Sequence, residues 1–164
     1  NQLKAIYDLF KGEVKIIKEP NHLSFLKNAS LEKITKWYID AHYKNIRKAV
    51  GLSKANNTVL VERSPISSIA FMKAYLNKNK NYVNKEIRRL EKELIRISNS
   101  SIHKPTFLYL QKNTASALDR LNSRPYLKRL ASKRSLSVLS RNMERILINF
   151  KKKGVINLHI LKHE

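Results

Sequence analysis

The chain has 164 residues, enough for one domain with one core, and 42% of them are apolar. It has no cysteine, which excludes disulfides and thiolate metal sites and fits a reducing, intracellular compartment. No apolar run approaches the roughly 18 residues of a membrane span, so membrane insertion is not expected. Lys and Arg number 34 against 12 Asp and Glu, a net charge of +22. Self-repulsion of that size in a compact domain points to a polyanionic partner: nucleic acid, a nucleotide or an acidic protein surface.

Asn1-Gln2-Leu3-Lys4 carries neither a Met start nor a signal-peptide pattern, so residue 1 is not expected to be the biological N-terminus. Over residues 2–11, Leu3, Ile6, Leu9 and Phe10 share one helical face, with Gly12 as the expected C-cap. Val14 to Ile17 predicts a strand that stops at Glu19-Pro20. Ser30 reads as the N-cap of a helix running to about Val50 and ended by Gly51. Thr58-Val59-Leu60-Val61 is a β-branched apolar run, typical of a strand covered on both faces. A helix over 65–76 follows, with Pro65 in its first turn, where the missing N–H costs nothing.

After a polar loop at Asn77–Asn81, residues 83–98 predict a strongly charged helix and Thr106–Leu110 a third strand. Thr114–Asn122 and Lys133–Lys153 are further helices, and residues 155–160 a last strand. Strands alternating with helices predict an α/β fold built on a parallel sheet. His22, His42, His103, His159 and His163 show no metal-ligand spacing, and no metal is expected. Ser64, Ser67 and Ser68 lack the His and Asp partners of a hydrolase. Tyr75, Tyr82, Tyr109 and Tyr126 fit either stacking on bases or half-buried core positions.

Ligands of parallel α/β sheets bind at the carboxyl ends of the strands. Two acidic motifs fall there: Glu19-Pro20 after the first strand and Glu62-Arg63-Ser64-Pro65 after the second. A carboxylate at each of two neighbouring strand ends, with an arginine beside one, suits hydroxyl activation next to phosphate binding. Strand-Glu-Pro, a long helix, then strand-Glu-Arg-Ser-Pro-Ile-Ser-Ser resembles the deoxynucleoside kinase family, including its herpesvirus-type thymidine kinases. The Pro105–Leu110 strand and the segment from Thr114 through Arg120 to Arg124 are similar to the family's later strand, helix and lid.

The resemblance implies a single kinase-like domain over residues 1–164, with three layers, a parallel sheet flanked by helices, and a lid near residues 120–134. It implies Glu19 as the base facing a nucleoside 5′-hydroxyl, and Glu62 with Arg63 serving metal, phosphate and 5′-oxygen. It further implies Arg120 and Arg124 closing on ATP phosphates, work suited to bidentate guanidinium groups. His42 and Asn45 lie nearest the place of the family's base-reading Gln. ATP and Mg²⁺ are the implied cofactors. The chain departs from the family in three ways. Its glycines, Gly12, Gly51 and Gly154, form no Gly-x-x-x-x-Gly-Lys-Ser/Thr loop, so a first strand and P-loop are expected upstream of Asn1. The base-reading Gln has no clear equivalent. The acid that follows the lid arginines is replaced by the basic Pro125-Tyr126-Leu127-Lys128-Arg129.

Two readings stand. One is an ATP-dependent kinase of a deoxynucleoside or its monophosphate, active when a P-loop is supplied. The other is an inactive kinase-like basic protein on nucleic acid or within a larger assembly. For the second, Arg88, Arg89, Lys92 and Arg96 recur at helical spacing, and Arg120, Arg124, Lys128, Arg129, Lys133 and Arg134 crowd the lid.

Overall fold

The computed structural model describes residues 14–20, 29–54, 58–75, 80–100, 104–111 and 132–162. The helices expected at 2–11 and 114–122, the Gly12 cap, and Tyr126, Arg120 and Arg124 lie outside the described residues. The described elements make a mixed α/β structure with four helices and two small sheets, each of two parallel strands. Contacts divide the chain into two compact units, Asn1–Ser68 and Ile69–Glu164.

In the first unit, strand β1 (Val14–Ile17) pairs with β2 (Thr58–Val61) in the register Val14↔Thr58 to Ile17↔Val61. Helix α1 (Leu31–Ser53) connects them and packs on β2. Its apolar stripe explains why: Thr35, Ile39, His42, Tyr43 and Ile46 recur at three- and four-residue spacing and all are buried. The Ser30 hydroxyl caps the helix by accepting from Lys33 N at 3.2 Å, an interaction worth about 1 kcal/mol. The helix runs through Gly51, expected to end it, and stops at Ser53. A Cβ on Gly51 would meet nothing within 4 Å, so packing neither requires nor forbids glycine there.

Helix α2 (Pro65–Tyr75) begins as its sequence predicts. Ser64 Oγ accepts from Ile66 N at 3.3 Å, Pro65 takes the first turn, and the Ser67 hydroxyl donates to Ser64 O at 2.9 Å. Pro65, Ile66, Ile69, Ala70 and Met72 are buried, while Ser67 and Ser68 are half-buried and Lys73 is exposed.

In the second unit, β3 (Thr106–Gln111) and β4 (Asn157–Lys162) pair from Thr106↔Asn157 to Gln111↔Lys162. Helix α3 (Lys80–Ser100) buries Val83, Glu86, Leu90, Leu94 and Ile97 along one stripe. It is longer at both ends than the 83–98 expected, and takes Lys80 and Asn81 from the predicted loop. Helix α4 (Lys133–Lys152) packs on β4 and buries Ile146, Leu147 and Phe150. Tyr109 is buried, with its hydroxyl 2.9 Å from Ser140 Oγ. Tyr75 stacks obliquely on Phe71 at 4.4 Å, and burial raises its pKa while a hydrogen bond with Ser135 acts against this.

The α4–β4 turn displaces the last strand from the expected 155–160 to Asn157–Lys162. Gly154, at φ 69°, donates to Lys151 O at 2.9 Å, and Val155 N donates to Phe150 O at 3.0 Å. This pair of bonds is the Schellman arrangement, which needs a left-handed residue where Gly154 stands. Val155 and Ile156, strand-like in sequence, are therefore consumed in completing the turn, and both are buried. Ser98 Oγ donates to Val155 O at 3.0 Å and Lys153 Nζ reaches Glu91 Oε1 at 2.6 Å, tying α3 to the same turn.

Candidate functional site

Parallel pairing of β1 and β2 brings their carboxyl ends side by side. The ladder extends one step beyond the strands, with Glu62 N donating to Ile17 O at 2.8 Å. This register sets Lys18-Glu19-Pro20 beside Glu62-Arg63-Ser64. Glu62 Oε2 then accepts from the backbone N–H of Glu19 at 3.2 Å, and the Arg63 guanidinium lies 3.0 Å from Glu19 Oε1. The three residues singled out from the sequence therefore form one connected group. The Glu19 side chain is 29% exposed and that of Arg63 56%, so the group is open to water. An ion pair this exposed contributes about 0–1 kcal/mol.

Arg63 has φ 65°, in the left-handed region. For a residue with a Cβ this costs about 1–2 kcal/mol. The surrounding geometry explains how it is held: Glu62 is fixed by the ladder on one side, and Ser64 is locked by the capping of α2 on the other. Pro65 also keeps Ser64 out of the helical region. Between these fixed points the connection is made by the left-handed Arg63 alone. The result turns the Arg63 side chain toward Glu19.

Helix α1 supports the site from beneath. Asn45 Nδ2 donates to the Lys18 carbonyl at 3.0 Å, holding the segment that carries Glu19. The amide expected near a nucleoside base thus braces a loop. His42, one turn earlier, is 1% exposed. Its ring stacks on Tyr38 with centroids 6.0 Å apart, and its buried Nδ1 has no hydrogen-bond partner among the described residues. Burial first, then the nearby Arg63 cation, lowers the His42 pKa from 6.5 to about 4. The imidazole is neutral at pH 7.

Chemically, the group offers two carboxylates and one guanidinium at a strand edge. A carboxylate can accept a proton from a hydroxyl, and a guanidinium can hold phosphate oxygens bidentately. Among the described residues no cluster of three or more His, Cys, Asp or Glu side chains is placed to hold a metal. Mg²⁺ needs less than that when substrate phosphates share its coordination, and the Glu62 carboxylate is the side chain at this edge that fits such a role. Nothing in the sequence marks the left-handed Arg63, because glycine is the usual sign of that conformation. Tyr38 was also missed, although its four-residue spacing from His42 on a helix is a readable signal.

No family model matches the chain, nor does any curated protein or solved structure.

Proposed function

We propose that the β1–α1–β2 unit is the acceptor side of a deoxynucleoside kinase-like phosphotransferase site, within a three-layer α/β fold of the P-loop kinase type. The observation that supports it is the meeting of Glu19, Glu62 and Arg63 at the carboxyl ends of two parallel strands. Glu19 takes the proton from the 5′-hydroxyl of a deoxynucleoside; a monophosphate acceptor, its oxygens already ionised at pH 7, needs no base. Arg63 holds the oxygen that receives the phosphoryl group and balances its charge. Glu62 keeps the Glu19 backbone in place and provides a carboxylate for Mg²⁺. ATP supplies the phosphoryl group, and Arg120 and Arg124 are the residues proposed to close on its phosphates.

Arg63 also sets the order of events. While it pairs with Glu19, the guanidinium occupies that carboxylate. A phosphate oxygen arriving at Arg63 competes for the same N–H donors and releases Glu19 to accept a proton. No Walker A loop occurs within the 164 residues, and the backbone cradle it provides is central to phosphoryl-transfer catalysis. This polypeptide alone is therefore expected to show no transfer from ATP to thymidine.

The acceptor reading is tested by binding. In calorimetric titrations, thymidine 5′-monophosphate should bind more tightly than phosphate-free thymidine. Arg63→Gln should remove at least tenfold of the monophosphate affinity while changing thymidine affinity little. Equal binding of the two ligands, or an Arg63→Gln protein that keeps full affinity, contradicts it.

A further inference from the structure

The second unit carries a charged surface of its own. Helix α3 contains three acids and six bases. The acids are withdrawn from its outer face: Glu86 is buried, and Glu91 and Glu93 are half-buried. Each acid also has a basic partner, Arg89 at 3.3 Å from Glu86, Lys153 at 2.6 Å from Glu91 and Arg96 at 2.8 Å from Glu93. What remains outward is Lys80, Lys85, Arg88, Lys92 and Arg96, with Asn81, Asn84, Ile95 and Asn99 between and beyond them. Lys85, Arg88 and Lys92 have no acidic partner among the described residues.

This arrangement is costly for an isolated helix. Like charges three and four residues apart destabilise by about 0.2–0.5 kcal/mol per pair, and Lys85, Arg88, Lys92 and Arg96 are spaced in that way. A basic composition alone accounts for the number of cations but not for the removal of every acid from the exposed face. Helix α1 shows the contrast, since Asp40 is exposed among its outward lysines. Helix α4 repeats the α3 pattern: Arg134, Arg141 and Arg145 are exposed, and its one acid, Glu144, is half-buried.

We infer that the outer face of α3 is a docking surface for the phosphate backbone of a nucleic-acid duplex. The row from Lys85 to Arg96 extends about 16 Å along the helix axis, the rise of about five successive phosphates on one duplex strand. The amides of Asn81, Asn84 and Asn99, at the two ends of this row, can donate to phosphate and sugar oxygens, contacts that position a protein without reading sequence. Single strands are held chiefly by bases stacked on aromatic rings, and no exposed aromatic residue lies on this face, where Tyr82 is half-buried. An acidic protein partner needs apolar or aromatic anchors at the centre of the interface, and this face offers only Ile95, 40% exposed.

The test uses the whole chain and a 20-base-pair DNA duplex, with fluorescence anisotropy at several salt concentrations. Three proteins are compared: the unaltered chain, Lys85→Gln/Arg88→Gln/Lys92→Gln, and the control Lys15→Gln/Lys44→Gln/Lys48→Gln, which loses the same charge from exposed positions of the first unit. The α3 variant should show a slope of log Kobs against log salt shallower by about 2.7, about 0.9 for each cation removed. The control should keep the slope of the unaltered chain. Circular dichroism reports whether each variant is folded. The single change Arg88→Gln, expected to lower the slope by about 0.9, decides the question on its own should the triple variant be perturbed. Equal losses in the α3 and control variants would assign binding to diffuse net charge and overturn the inference. So would tighter binding of a single strand, binding of a polyglutamate chain as tight as that of the duplex, or no duplex binding at low salt.

Discussion

At the β1–β2 edge charged side chains of both signs face one another across two strands, whereas along α3 the signs are separated, acids inward and bases outward. The first pattern is set by backbone pairing. Register places Glu19 beside Glu62, and the turn at Arg63 sends a cation back to Glu19. The second is set by helical periodicity, which sorts one sequence into a buried and an exposed stripe. Opposite charges gathered at a point suit chemistry on a small ligand. Like charges spread along a line suit contact with a repeating polyanion.

The largest expected effect lies in the core that supports the second pattern. Phe150 is fully buried in α4 and accepts the Schellman bond from Val155. Phe150→Ala should cost about 3–5 kcal/mol through the cavity it leaves, read as a lowered midpoint in urea. A loss below about 1 kcal/mol would mean that α4 is not seated as described.

A pH experiment sharpens the first pattern. The folded-state pKa of His42 is about 4, below its ordinary 6.5. Between those values the unfolded chain binds a proton that the folded chain excludes. Stability is therefore fully present above pH 6.5 and is lost as pH falls toward 4. The loss should reach about 3 kcal/mol, and His42→Gln should remove most of that slope between pH 4 and pH 6.5 in urea denaturation. An unchanged slope would show that His42 is not held neutral by burial and by Arg63.

Much of this was legible in the sequence, in places where one local rule decides. Val14–Ile17 and Thr58–Val61 are strands because β-branched or apolar residues fill every position except the exposed Lys15, and both runs end at charge and turn residues. Ser30 and Ser64-Pro65 mark the starts of α1 and α2 through capping chemistry that depends on a few adjacent residues. The misplaced boundaries arise where two rules compete. Val155 and Ile156 have strand character, but Gly154 fixes a helix-ending turn that needs them. Gly51 has the character of a stop, but the helix around it is already anchored by buried Tyr43 and Ile46 and continues past it. At the site, Glu19, Glu62 and Arg63 were legible as strand-end residues. The bracing role of Asn45 was not, because it depends on a contact across 27 positions.

The smallest effect separates stability from function at Arg63. Arg63→Gly removes the cost of a Cβ at φ 65° and adds backbone freedom to the unfolded chain. The two terms nearly cancel, and the folded protein should change by no more than about 1 kcal/mol. Monophosphate affinity should nonetheless fall as far as in Arg63→Gln. Strong destabilisation by Arg63→Gly would make the arginine a structural element of the turn.

The most direct measurement is a titration of the isotopically labelled chain with thymidine 5′-monophosphate, followed by backbone amide shifts. The largest shifts should fall on residues 17–19 and 61–64, with smaller ones at His42 and Asn45, and should vanish in Arg63→Gln. Saturable shifts confined to α3 or α4, or shifts at the β1–β2 edge that persist in Arg63→Gln, would contradict the assignment of this edge as the site of phosphate and hydroxyl chemistry.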